Sequence, residues 1–89
     1  MLALATCYCN DLYLEAARLN IPIDGLEIEA RGEFPAVGLG AVDISYRARV
    51  SSSAPPSRIE ELLRETDAVA EVHNTIRAGT PVTLEPWRE

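Results

Sequence analysis

The chain has 89 residues, enough for one small domain whose folded monomer hides only a modest share of the surface its unfolded form exposes. Fourteen acidic against eight basic residues give a net charge of -6, which repels phosphate backbones and anionic lipid and argues against nucleic-acid and membrane partners. With 47% hydrophobic residues in so short a chain, a partner subunit is the expected source of further burial, so a homo-oligomer is predicted.

Apolar positions at Leu2, Ala5, Tyr8, Cys9, Leu12, Tyr13, Ala16 and Leu19 recur at spacings of three and four, predicting one amphipathic helix over residues 2–19. Asn20 tolerates the left-handed cap position and Pro22 lacks an amide donor, so the helix stops there, ahead of an Asp24-Gly25 turn. The same opening segment has no basic start, and Asn10, Asp11 and Glu15 interrupt its apolar run. Neither a secretion signal nor a membrane span is expected, and the predicted location is cytoplasmic.

From Leu26 the period changes to two. Leu26, Ile28 and Ala30 alternate with Glu27, Glu29 and Arg31, the pattern of a half-buried strand. A second run turns Ile44, Tyr46, Ala48 and Val50 inward and Asp43, Ser45, Arg47, Arg49 and Ser51 outward. The connection from Phe34 to Val42 contains Pro35, Gly38 and Gly40 and allows an antiparallel hairpin, with Glu27 and Glu29 across from Arg47 and Arg49.

The segment Ser51 to Pro56 is a polar break. Ser57 and Glu60 then form the S-x-x-E arrangement of a reciprocal cap, predicting a helix that starts at Ser57 and buries Ile59, Leu62 and Leu63. Thr66-Asp67 reads as a fresh cap for another helix carrying Val69, Val72, His73 and Ile76, closed by Gly79. Residues 81–85 read as a last short strand, followed by a tail, Pro86-Trp87-Arg88-Glu89. The order α-β-β-α-α-β describes a single α+β domain over residues 1–89, with a long helix packed on a small sheet.

Two cysteines, Cys7 and Cys9, with one His in the chain exclude a conventional zinc site, and no cofactor or metal is expected. Successive helical residues step by about 100°, so the two thiols lie about 200° apart and cannot bridge while the helix is intact. Cys9 shares the apolar stripe with Ala5, Leu12 and Ala16, whereas Cys7 shares a face with Asp11 and Arg18. Cys7 is therefore the better candidate for chemistry. Unpaired amides at a helix start favour a thiolate, and Asp11, one turn on, opposes it. His73 reads either as a general base or thiolate partner or as a hydrogen-bonded boundary residue. Tyr8, Tyr13 and Tyr46 read as core or interface residues, and Arg47 with Arg49 as a solvated strand face.

The segment Leu4-Ala5-Thr6-Cys7-Tyr8-Cys9-Asn10-Asp11-Leu12-Tyr13 resembles the central helix of the OsmC/Ohr family, the osmotically inducible protein C and organic hydroperoxide resistance proteins. There a run of small residues precedes a Cys, often with Asp four residues later. Residues 21–29, Ile-Pro-Ile-Asp-Gly-Leu-Glu-Ile-Glu, are similar to that family's entry into its paired strands. Residues 70–82, from Ala70 through Glu71-Val72-His73-Asn74-Thr75-Ile76-Arg77 to Val82, look like its second-cysteine helix running into the final strand.

The resemblance implies a thiol protein related to hydroperoxide reductases, in which Cys7 is the peroxidatic thiol and Asp11 and His73 are nearby site residues. It also implies an intertwined homodimer with sites at the subunit interface, acting on a hydroperoxide or another small apolar ligand. Two departures weigh against turnover. The family's second cysteine falls near Ala70, where no thiol stands, and its activating arginine comes from about three strands ahead of the central helix, which this sequence lacks. An activating cation is left to Arg18, Arg77 or a second subunit. The competing expectation is a non-catalytic dimeric interaction or small-ligand-binding module on the same scaffold.

Overall fold

Leu4, Tyr8, Leu12 and Ala16 form one row at every fourth position along the first helix, α1 (Leu2–Leu19), and all four are buried. They belong to a computed structural model that describes residues 2–87. The row is narrower than the predicted stripe and runs through Leu4, while Leu2 and Tyr13 are exposed. The hairpin and the helices that follow cover only a limited arc of α1. At its end Asn20 adopts φ 56°, and the Ile21 amide reaches back to the Ala16 carbonyl at 2.9 Å, the left-handed stop expected of Asn.

Strands β1 (Gly25–Glu33) and β2 (Val42–Ser51) pair antiparallel in the predicted register, with Glu27 opposite Arg49 and Glu29 opposite Arg47. Arg49 donates to Glu27 at 2.7 Å and Arg47 to Glu29 at 3.1 Å on the solvent side. On the other side Leu26, Ile28, Tyr46, Ala48 and Val50 pack against the core. Ile44, predicted to face inward, stays exposed with Val42 near the loop, where the helices leave the hairpin uncovered.

The second helix, α2 (Pro56–Val69), begins one residue before the predicted start and without the reciprocal Ser57–Glu60 cap. Pro55 is the capping residue, its carbonyl taking the amides of Arg58 and Ile59, and Pro56 in the first turn has no amide to satisfy. Ser57 is thereby drawn inside the helix. Thr66-Asp67 does not open a new helix either. Thr66 is fully buried, and its hydroxyl donates to the Leu62 carbonyl at 2.7 Å one turn back, so α2 continues until Ala70. The third helix, α3 (Glu71–Ala78), then ends at Gly79, which takes φ 65° as the sequence predicts.

The expected strand at 81–85 does not form; residues 80–87 are exposed and carry no regular structure. Among the described residues β1 and β2 pair with each other and neither free edge takes up this segment, whose Pro81 and Pro86 have no amide to contribute to a ladder. Of the expected tail, Arg88 and Glu89 lie outside the described residues. Among the described residues the result is an α+β fold of three helices and a two-stranded sheet. Its core of Tyr8, Leu12, Ala16, Ile21, Leu62 and Ala70 lies where α1 meets the hairpin and α2. Arg58 ties the two long helices together by donating to the Leu19 carbonyl at 2.7 Å, satisfying a backbone acceptor at the end of α1.

Candidate functional site

Three elements each bring one ring to a common point: Tyr8 from α1, Tyr46 from β2 and His73 from α3. Ring centres lie 4.7 Å apart for Tyr8 and Tyr46, 5.6 Å for Tyr8 and His73, and 4.5 Å for Tyr46 and His73. The last pair meets edge to face at 82°, the arrangement that sets a positive ring edge against a negative ring face. Tyr8 donates its hydroxyl to the Leu63 carbonyl at 2.9 Å, and Tyr46 donates to Asp67 Oδ1. Arg77 closes the polar side, donating to Asp67 at 2.7 Å and to Asn74 at 3.2 Å.

This packing sets the proton affinities. Burial pushes the Tyr8 hydroxyl up to about 12, and burial together with the hydrogen bond to Asp67 raises that of Tyr46 as well, so both act as neutral donors. The Arg77 guanidinium, more than any other group, holds the Asp67 carboxyl below the usual range. Burial, and then the charge of Arg77, lowers the affinity of the His73 ring, with Asp67 and Asp11 opposing in part.

His73 is no boundary residue. It is 3% exposed, and neither ring nitrogen has a hydrogen-bond partner. The α2–α3 break at Ala70 turns α3 back across α1, which carries His73 inward.

Among the predicted site residues, Cys7 is half-buried with a free thiol and directly precedes the buried Tyr8. Leu4, Cys7 and Asp11 step by three and four along one flank of α1. Leu4 lines a groove with His73, Ile76 and Arg77 of α3, so this end of α1 borders that helix. Cys9, also free, lies on the other flank in a groove of about 300 Å³ lined by Ala5, Thr6, Asn10, Leu26 and Ile28. The two thiols are thus separated as the wheel predicts.

The cations named as candidates are already engaged. Arg18 binds Glu15 through two nitrogens, at 2.9 and 2.6 Å, and Arg77 binds Asp67. Ala70 is fully buried in the core at the α2–α3 break. Asp67, read from the sequence as a cap, is instead the link between Tyr46 and Arg77. The available signal was Tyr46 at an inward strand position, since a buried phenol requires an acceptor. Among the described residues no cluster of three His, Cys, Asp or Glu can hold a metal ion, and no helix is long and apolar enough to cross a membrane.

The family described as OsmC-like protein matches residues 1–85. The chain belongs to the OsmC-like proteins. A crystal structure of an OsmC like protein from Mycoplasma pneumoniae is similar in fold, with a TM-score of 0.73 and 24% identity over 84% of this chain. The chain spans 56% of the length of that protein. No curated protein matches it in sequence. This OsmC-like protein carries both thiols on α1, the longest helix among the described residues, which also supplies Tyr8 to the Tyr8–Tyr46–His73 cluster.

Proposed function

We propose that this OsmC-like chain is the thiol-bearing part of a hydroperoxide-reducing protein of the organic hydroperoxide resistance type, with Cys7 as the reacting sulfur. The observation that carries the reading is the position of Cys7: a free, half-buried thiol on the flank of α1 shared with Leu4 and Asp11, one residue from the buried anchor Tyr8. Its thiolate attacks the outer oxygen of an alkyl hydroperoxide and the O–O bond breaks. The alkoxide leaves with a proton from solvent as the alcohol, and Cys7 becomes a sulfenic acid.

Cys9 faces away and position 70 is Ala, so neither resolves the sulfenic acid and a dithiol reductant does. One thiol of a dithiol reductant condenses with it, releasing water and leaving a mixed disulfide. The second thiol displaces Cys7 and closes the reductant's own disulfide. The protein acts in the reducing cytoplasm as a homodimer. Exposed Phe34, Val37, Leu39, Val82, Leu84 and Trp87 supply apolar surface for the second subunit, whose basic side chains stabilise the thiolate in place of the engaged Arg18 and Arg77.

The test is consumption of an organic hydroperoxide with a dithiol reductant. Cys7→Ser abolishes it and Cys9→Ser does not. Equal rates for wild type and Cys7→Ser overturn the enzymatic reading and leave the non-catalytic module, which is favoured by the pairing of Arg18 and Arg77 with carboxylates. Sedimentation at micromolar concentration tests the dimer, and a folded monomer there contradicts it.

A further inference from the structure

Of the eight residues of α3 only His73 is buried, 3% exposed, with its ring standing against Tyr8 of α1 and Tyr46 of β2. Val72 is half-buried and the other six are exposed. The remaining side-chain ties are polar and lie at the surface, Arg77 to Asp67 at 2.7 Å and Asn74 to the Ala68 carbonyl at 3.1 Å. The chain leaves helical geometry at Ala70, with φ -69° and ψ 99°, and again at Gly79, so α3 is bounded by a backbone break at each end. We infer that α3 is an acid-released latch: it opens about Ala70 and is held open when His73 takes up a proton, uncovering Leu4, Tyr8 and Tyr46 while α1, the hairpin and α2 stay folded.

A helix docked through leucine is held equally at every pH, whereas this one is fastened through a base. Protonating the docked ring places a second positive charge one turn from Arg77 and leaves two N–H donors sealed from solvent and unpaired. The neighbouring groups offer little relief. Tyr8 and Tyr46 already donate to the Leu63 carbonyl and to Asp67, and both stay neutral. Of the carboxylates whose charge reaches the ring, Asp67 on α2 is committed to Tyr46 and Arg77, and Asp11 on α1 makes no hydrogen bond to it. Because the nitrogens are sealed, a proton reaches the ring only from the open state and then opposes reclosure. Burial and then the charge of Arg77 depress the proton affinity of the docked ring, which is the sign this linkage requires. The core residues Tyr8, Leu12, Ala16, Ile21, Leu62 and Ala70 all lie outside α3, so opening removes no member of the core. The device is independent of any reaction at Cys7.

Nuclear magnetic resonance of the labelled full chain between about pH 8 and 5 tests it. Hydrogen-exchange protection of the α3 amides, corrected for intrinsic rate, is expected to fall as the pH drops through 6.5, by about five- to thirtyfold. The upper figure belongs to a docked ring that takes no proton at all. In urea these amides respond less steeply than those of α1, because the opening exposes less surface than unfolding does. The ring signals of docked His73 hold their shifts throughout. His73→Phe keeps a ring between the tyrosines and removes the pH dependence; should that variant not fold, the urea comparison in the wild type decides. The inference is overturned by α3 amides that are unprotected at the upper pH, by a fall smaller than about fivefold, by docked ring signals that titrate in place, or by α3 and α1 amides sharing one urea dependence.

Discussion

Tyr46 meets His73 edge to face at 4.5 Å while its hydroxyl donates to Asp67, so one strand residue joins the buried imidazole to the Asp67–Arg77 ion pair. Tyr46→Phe keeps the ring contact and removes only the donor. The expected loss is about 1 kcal/mol, at the lower end for a bond to a carboxylate because Asp67 is partly solvated and retains Arg77. Tyr8→Phe, which removes the donor to the Leu63 carbonyl, costs a similar amount, about 1 kcal/mol. Urea unfolding checks both, with the midpoint falling and the slope unchanged.

Stability should decline on acidification through the His73 ring. The ordinary value for histidine is 6.5, and the folded ring binds its proton less readily. Below 6.5 the unfolded chain therefore takes up a proton that the folded chain does not, and mass action favours unfolding. Above that value the ring contributes no pH dependence. Asp67 adds a loss only in stronger acid, as the pH falls below 3.8 and through its depressed folded value. Unfolding midpoints at about pH 8, 6.5 and 5 give the slope, and His73→Phe flattens it. A wild-type protein that gains stability from pH 6.5 to 5 contradicts the assignment.

Gly79→Ala isolates a backbone cost. The residue stands at φ 65° with nothing within 4 Å of an added Cβ, so no clash accompanies the substitution. The left-handed conformation should then cost about 1 kcal/mol, read as a lower unfolding midpoint with early fraying of α3 in amide exchange.

Leu62→Ala removes a fully buried side chain from the contact between α1 and α2 and is expected to cost about 2–5 kcal/mol. Against a total stability of roughly 5–15 kcal/mol this is a severe loss. Leu14→Ala, on the same helix as the core row but 70% exposed, should stay within about 0.5 kcal/mol of wild type. Chemical denaturation of the pair shows whether the buried row alone carries α1.

Local patterns read well wherever neighbouring residues suffice. The three-and-four spacing set the limits of α1, Asn20 and Gly79 took their left-handed caps, and alternation placed Glu27 and Glu29 opposite Arg49 and Arg47. Each depends on a helical period, a strand period or a single backbone conformation, all written within a few residues. The separation of Cys7 from Cys9 follows from the same helical step.

Tertiary structure decided the rest. Ser57-x-x-Glu60 carries a capping pattern, yet Pro56 started the helix first; Thr66-Asp67 carries another, yet burial of Thr66 kept α2 going to Val69. Residues 81–85 suit a strand in pattern, but they pair with neither free edge of the β1–β2 hairpin. His73 became a buried, unpaired ring because α3 folds back over α1, and Asp67 became its indirect neighbour through Tyr46. Periodicity states which side of an element is apolar. Which polar groups end up facing each other is fixed only when separate elements pack, because their hydrogen bonds and desolvation depend on residues dozens of positions apart.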